Sequence, residues 1–240
     1  MRTFFPALAV LCLLPRAAAG NGTGLDVDIM APDGFVLKAT YWAADEPGPG
    51  VLMLHQCNRD RKSWDGSARA LAEAGFHVLT MDFRGFGGSV SEGVHSFRQQ
   101  SDELWPLWEG DVDRAFAFLK SMPDVKQSIG AVGASCGGSQ ALLLATRMTE
   151  VGAVVFLSSG LPWIDDQDIH AFQNVRPVPL LGIAAEDDVS TANRTRSIFA
   201  GSKHEDSRLV VYKGDQHGVP LFEQDPNLVS VIVEFFAANL

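Results

Sequence analysis

The sequence predicts a single α/β domain with a mostly parallel sheet, helices on both faces of the sheet and an antiparallel hairpin at its amino end. Two observations predict this fold class. Short apolar runs alternate with segments of helical period along most of the chain, as in proteins built from β-α-β units. The chain has 240 residues, of which 46% are hydrophobic and 20% charged, so it can bury one sizeable core.

The amino terminus has the pattern of a signal peptide at residues 1–19. Arg2 supplies a positive charge, and the apolar run at residues 4–14 is too short to span a bilayer. Small alanines precede the expected cleavage after Ala19. We therefore expect a secreted or periplasmic protein without a stable membrane anchor. Residues 20–240 would then form its single domain.

The domain begins with two alternating strands. Residues 25–30 and 35–42 lie on either side of a Pro-Asp-Gly turn, which predicts a hairpin. Residues 51–54 are a short apolar run, typical of a parallel strand that is buried on both faces. Residues 63–74 have apolar side chains at helical spacing, and residues 77–83 form the next predicted strand.

The same alternation continues to the end of the chain. Further strands are predicted at residues 129–133, 151–157, 178–184 and 208–213, and helices at residues 110–121, 140–148, 195–200 and 227–239. In a parallel sheet of this kind, binding sites form in the loops at the carboxyl ends of the strands. Residues in those loops are therefore the candidate functional residues.

One of these loops has the pattern Gly-x-Ser-x-Gly, between the strand at residues 129–133 and the following helix. Gly133 and Gly137 stand two positions before and after Ser135. A sharp turn from strand to helix needs residues without bulk at those positions, and it exposes the central hydroxyl at the helix N-terminus. The pattern resembles the nucleophile elbow of the α/β-hydrolase family. This resemblance predicts Ser135 as a nucleophile.

Cys136 is the alternative nucleophile, because dienelactone hydrolases, which resemble this chain, use a cysteine at the same turn. A turn centred on Cys136 would have Ala134 and Gly138 at the two small positions. A turn centred on Ser135 has glycine at both, so the spacing favours the serine.

The resemblance implies the chain order serine, acid, histidine. His217 follows the last predicted strand and is the candidate base that would make the serine hydroxyl nucleophilic. Asp188 follows the strand at residues 178–184 and takes the place of the family's acid. Asp187 is the alternative acid, because Ala185 stands where the family usually has glycine.

Such a site also needs two backbone N–H groups that bind an oxyanion. The resemblance assigns one to Cys136, directly after the nucleophile, and the other to Cys57, with Gln56 as the alternative. Because both amides must reach one oxygen and the chain is predicted to be exported, Cys57 and Cys136 are candidates for a disulfide. Two buried free thiols whose side chains diverge are the alternative.

The family resemblance extends to the turn Asp-x-Arg-Gly-x-Gly-x-Ser at residues 82–89, where Asp82 and Arg84 are predicted to tie loops together. About 20 residues separate the strands at 151–157 and 178–184, too few for a large helical cap. Four aromatic side chains in predicted loops at this edge could line an acyl or alcohol pocket, or else cover the core. They are Phe97, Trp105, Trp108 and Trp163.

Together, the motifs imply a serine hydrolase that cleaves a small-molecule carboxylic ester through an acyl-serine intermediate. The alternatives are a dienelactone-hydrolase-like lactonase, an amidase or peptidase, and a non-catalytic binding protein of the same fold. The net charge of −10 without a basic cluster argues against a nucleic-acid partner. No metal-ligand spacing or cofactor motif occurs in the sequence, so neither a metal nor a cofactor is expected.

Overall fold

The computed structural model describes residues 22–159 and 166–240. The predicted signal peptide at residues 1–19 lies outside the described residues and stays a prediction, as does any role of Trp163. Eight strands form one sheet. They are β1 (Leu25–Met30), β2 (Val36–Trp42), β3 (Gly48–Leu54), β4 (His77–Met81), β5 (Val125–Ala134), β6 (Val151–Leu157), β7 (Leu180–Ala185) and β8 (Arg208–Tyr212).

The strand order in the sheet is β1-β2-β4-β3-β5-β6-β7-β8. β1 pairs antiparallel with β2, and β2 pairs antiparallel with β4. Every later pair, from β3 with β4 to β7 with β8, is parallel. The mostly parallel sheet with an antiparallel amino-terminal hairpin confirms the predicted fold class.

Helices cover both faces of the sheet. They are α1 (Asp65–Glu73), α2 (Phe97–Leu104), α3 (Trp108–Lys120), α4 (Cys136–Arg147), α5 (Asp166–Val175), α6 (Val189–Ala200), α7 (Leu221–Gln224) and α8 (Leu228–Asn239). Among the helices of the described residues, none combines the length and hydropathy that crossing a lipid bilayer requires.

Two apolar cores lie between the sheet and the helices, one on each face. The first is built on α3 and α4, and the second on α1 and α8. Successive residues of β3 alternate between them, so Leu52 faces the first core and Met53 the second. A strand that is buried on both faces has no polar positions, which explains its continuous apolar sequence.

Three described helices have no predicted counterpart. α2 buries only Leu104, and therefore lacks the apolar stripe that predicts a helix. α5 lies between β6 and β7, where the sequence predicts a loop, and α7 has only four residues. α6 begins at Val189 rather than at residue 195. The sequence does not predict its first turns because they are rich in Ser, Thr and Asn, which have low helix propensity.

The prediction that Trp108 lies in a loop and could line a pocket is wrong. Trp108 is the first residue of α3, is fully buried and stacks on Phe83 with ring centroids 4.2 Å apart. Its indole belongs to the core, which is the alternative that the sequence left open. Trp105 lies in a short 3-10 helix rather than a loop, and it packs against the same core, as does Phe97 at the start of α2.

Candidate active site

The carboxyl ends of the parallel strands bring the predicted site residues to one edge of the sheet. Cys57 follows β3, Ser135 follows β5, Asp188 follows β7 and His217 follows β8. These four loops are distant in sequence, and they meet because neighbouring parallel strands end at the same edge.

The backbone of Ser135 adopts a strained conformation, with φ 52° and ψ −117°. A non-glycine residue with positive φ is held there only by its surroundings. A Cβ atom on Gly133 would overlap the backbone of Gly137, and one on Gly137 would overlap the carbonyl oxygen of Leu54. Glycine is therefore required on both sides of a turn centred on Ser135, as the spacing predicts.

Ser135 sits directly before α4, so that the positive end of the helix dipole lies beneath its side chain. Its backbone N–H donates to the carbonyl oxygen of Leu157 over 2.8 Å, which ties the turn to β6. The residue is 6% exposed. A ligand can thus reach the hydroxyl only through the space that the surrounding loops leave open.

A disulfide joins Cys57 and Cys136, whose Cα atoms are 5.8 Å apart. The bridge connects the loop after β3 to the first residue of α4. It also removes Cys136 as the alternative nucleophile, because a sulfur in a disulfide has no thiolate with which to attack. The predicted pairing is present in the structure, and the alternative of two free thiols is not.

Asp188, and not the neighbouring Asp187, contacts His217. The Oδ2 atom of Asp188 lies 2.8 Å from Nδ1 of His217. Asp188 is buried, whereas Asp187 is exposed. The carboxylate also accepts hydrogen bonds from the hydroxyl groups of Ser190 and Thr191.

The surroundings of Asp188 keep it ionised. Burial by itself would raise the pKa of this carboxyl group, but the hydrogen bonds from Thr191, His217 and Ser190 outweigh burial and lower the pKa. An ionised carboxylate only accepts hydrogen bonds, so Nδ1 of His217 must carry the proton of the shared bond. The neutral imidazole then has a lone pair on Nε2, as a general base requires.

Ser135 and His217 lie in touching segments of the site. A Cβ atom placed on Gly218 would lie 3.4 Å from the Cβ atom of Ala134. The residue after His217 therefore packs against the residue before Ser135. Among the described residues, no hydrogen bond joins the Ser135 hydroxyl to the His217 ring. In enzymes, hydrogen bonds between a nucleophile and a general base often tighten only when a substrate is bound.

Two side chains hold the loop of His217 through contacts that the sequence did not predict. The side-chain oxygen of Gln56 accepts the N–H of Val219 over 2.8 Å, and Ser158 Oγ accepts the N–H of Gly218 over 2.9 Å. Ser158 also has a positive φ of 45°, a strained conformation that is typical of residues at functional sites. For Gln56, the sequence does contain a signal: the α/β-hydrolase family, which this chain resembles, usually has glycine at this position.

The backbone amides of Cys57 and Cys136 are the predicted oxyanion donors. Within residues 22–159 and 166–240, neither N–H donates to a protein acceptor, and the same holds for the amide of Gln56. Free N–H groups at the end of β3 and at the start of α4 are what an oxyanion would need. The assignment of Cys57 and Cys136 to this role remains a prediction.

His55 anchors the loop that carries these amides. It is fully buried, and burial lowers the pKa of its imidazole, so the ring is neutral. Nε2 accepts the N–H of Phe83 over 3.0 Å, and Nδ1 therefore donates to the carbonyl oxygen of Gln56 over 2.8 Å. Both ring nitrogens are thus occupied, and His55 fixes the loop rather than taking part in chemistry.

Asp82 and Arg84 tie loops together, as predicted. Asp82 accepts the backbone N–H groups of Arg61 and Gly88 over 2.7 and 2.8 Å. Arg84 donates to Asp33, in the turn between β1 and β2, over 2.7 Å, and to the buried Asp111 of α3 over 2.6 Å. No group of three or more His, Cys, Asp or Glu side chains that could hold a metal ion occurs in the described part of the chain.

A family model and a protein of known sequence both match most of this chain. The family model described as alpha/beta hydrolase fold matches residues 49–217. An uncharacterized protein of Mycobacterium tuberculosis is 27% identical over 239 residues, which cover 90% of this chain and 79% of that protein.

Solved structures of low sequence identity share the fold. A dienelactone hydrolase of Anabaena variabilis superposes with a TM-score of 0.73 at 21% identity, covering 91% of this chain and 98% of that one. An esterase of Pyrococcus furiosus superposes with a TM-score of 0.70 at 18% identity, covering 90% of this chain and 91% of the esterase.

Proposed function

The chain belongs to the alpha/beta hydrolase fold family, and from that premise we propose that it is a serine hydrolase that cleaves carboxylic esters through an acyl-Ser135 intermediate. The observation that carries the proposal is the 2.8 Å hydrogen bond between Asp188 and His217. It lies at the same sheet edge as the strained Ser135 turn, which supports the roles of nucleophile, base and acid for Ser135, His217 and Asp188.

In the proposed acylation, Ser135 Oγ attacks the carbonyl carbon of the ester while Nε2 of His217 takes the hydroxyl proton. The ionised Asp188 stabilises the imidazolium that forms. The N–H groups of Cys57 and Cys136 bind the negative oxygen of the tetrahedral intermediate. When the intermediate collapses, the C–O bond to the alcohol breaks, and His217 returns its proton to the leaving oxygen.

Deacylation repeats these steps with water in place of the serine hydroxyl. His217 removes a proton from the water molecule, whose oxygen attacks the acyl carbon. Collapse of the second tetrahedral intermediate releases a carboxylic acid and returns the proton to Ser135. The overall reaction consumes one ester and one water and yields one acid and one alcohol.

A lactone is the second candidate substrate. Its support is the likeness to the dienelactone hydrolase of Anabaena variabilis. The chemistry would be the same, except that the leaving alcohol stays attached to the acyl group as a hydroxy acid. Amides and peptides would need the same residues to expel a poorer leaving group, and nothing in the described site favours them.

Labelling with a fluorophosphonate tests the nucleophile, because the probe phosphonylates an activated serine. We expect the wild type to be labelled and to hydrolyse p-nitrophenyl esters, and Ser135→Ala to do neither while it stays folded. Ser121→Ala is the matched control, since Ser121 lies exposed after α3. Undiminished hydrolysis by Ser135→Ala would overturn the assignment. A wild type without labelling or hydrolysis would favour the non-catalytic binding protein.

The proposal includes export of the protein from the cytoplasm, which the signal-peptide pattern of residues 1–19 supports. An oxidising compartment is also where a Cys57–Cys136 disulfide persists. Amino-terminal sequencing of the protein collected outside the cytoplasm should begin at Gly20. Recovery of the whole product in the cytoplasm with its first residues intact would contradict export.

A further inference from the structure

An open cavity of about 610 Å³ lies beside the loop that follows β3. Its lining includes Cys57, whose backbone N–H is one of the two proposed oxyanion donors. The cavity therefore adjoins the loop that carries one of these proposed donors. The roles proposed above for Ser135 and His217 leave this cavity without a function.

Three cationic side chains surround the cavity: Arg59, Lys62 and Arg98. All three are exposed, and none forms an ion pair with a carboxylate in the described part of the chain. The carboxylate among the lining residues is Asp60, which accepts the backbone N–H of Lys62 over 2.9 Å and so caps a short helix. The cavity is thus locally positive in a protein with a net charge of −10.

The cavity also has an aromatic wall, formed by Phe86 and Phe97. Their rings stack with centroids 5.3 Å apart, and Phe86 also packs on the buried His55 with centroids 5.0 Å apart. Neighbouring apolar and cationic surfaces suit a ligand that has a hydrocarbon part and a negative charge.

We propose that this cavity is a substrate subsite that binds a carboxylate or similar anionic group on the acyl or alcohol part of the ester. The inference rests on the proposed esterase function, because it names the class of ester that the same site takes. The hydrocarbon part of the substrate lies against Phe86 and Phe97, and the anion is held by Arg59, Lys62 and Arg98. The positive field also attracts the anionic substrate to an otherwise acidic protein.

The subsite acts on binding rather than on the chemical step. The proposed anionic group belongs to a part of the substrate that does not react. The cations therefore stabilise the bound substrate and the transition state equally, which lowers KM and leaves kcat unchanged. Each exposed ion pair contributes up to about fivefold in affinity, and the three cations together are expected to give about tenfold. The preference should weaken as salt is added, because exposed charges are screened.

Two pairs of esters test the subsite on the acyl and alcohol sides. The acyl pair is the mono-p-nitrophenyl ester of suberic acid and its methyl-capped diester. The alcohol pair is 4-acetoxybenzoate and its methyl ester. We expect the charged member of at least one pair to have about tenfold higher kcat/KM, through a lower KM. Equal kcat/KM values in both pairs would refute the subsite.

Removal of the cations should abolish the preference. In the triple variant Arg59→Gln, Lys62→Gln and Arg98→Gln, we expect the charged-to-neutral ratio to fall below about twofold, with neutral esters cleaved as before. The control variant carries Arg114→Gln, Lys126→Gln and Lys203→Gln, which change the net charge equally at residues outside the cavity lining. An equal fall in the control would attribute the preference to overall charge and would overturn the proposal.

A binding measurement separates this inference from the proposed catalysis. Calorimetry with the Ser135→Ala protein would compare monomethyl suberate with dimethyl suberate, neither of which this variant should consume. Tighter binding of the anion, lost in the triple-cation background, supports the subsite even if the wild type hydrolyses no ester. Equal binding of the two refutes the subsite even if Ser135 proves to be the esterase nucleophile.

Discussion

Replacing Asp188 by asparagine tests the central contact of the site. The carboxylate accepts hydrogen bonds from His217, Ser190 and Thr191, and its lowered pKa keeps it ionised. An asparagine of the same shape has one accepting oxygen and one donating NH₂ group. If the NH₂ group faces His217, the ring must present Nδ1 as an acceptor, and the proton moves to Nε2. The base would then be in the wrong tautomer for removing the serine proton.

The expected loss of activity is large. Loss of a triad carboxylate in this way lowers kcat by roughly 10³ to 10⁴, which corresponds to about 4 to 5.5 kcal/mol of transition-state stabilisation. Stability should fall much less, by about 1 to 3 kcal/mol, because buried hydrogen bonds to a charged acceptor become weaker. Activity and stability should therefore separate clearly in Asp188→Asn.

Asp187→Asn is the matched control, since it makes the same chemical change one residue away at an exposed side chain. Hydrolysis of p-nitrophenyl esters and denaturant unfolding would be measured for both variants. We expect Asp187→Asn to keep activity within about threefold of the wild type. Similar small losses in both variants, or a larger loss in Asp187→Asn, would refute the assignment of Asp188 as the acid.

Three further outcomes are expected. Reducing the Cys57–Cys136 bridge should lower ester hydrolysis at least ~10-fold while circular dichroism still shows a folded protein, and unchanged activity would contradict this. Acidification should destabilise the wild type more than Asp188→Asn in denaturant titrations. The pKa of Asp188 is lower in the folded protein than in the unfolded chain, so the ionised carboxylate stabilises the fold above the unfolded-state pKa. This stability is lost as the pH falls through the folded-state pKa. Gly133→Ala should unfold more readily than Gly93→Ala, whose added methyl meets open space; equal melting temperatures would refute this.

The sequence by itself determined the fold class and the candidate residues, because their signals are local. Alternating apolar and polar residues predicted the bounds of β1, and a continuous apolar run predicted those of β6. Both patterns are local, because successive side chains of a strand point to opposite faces of the sheet. The Ser135 turn was recognisable because steric overlap requires glycine at two specific positions. His217 and the acidic pair before α6 followed from the order serine, acid, histidine that the family resemblance implies.

The tertiary structure alone decided which of these residues meet. Asp187 and Asp188 have the same side chain, and only the path of the chain after β7 buries one against His217 and exposes the other. The positive charge of the cavity also depends on the tertiary structure, because packing between distant segments brings Arg98 on α2 close to the loop of Arg59. Contacts of this kind depend on long-range geometry, which residue patterns along the chain do not contain.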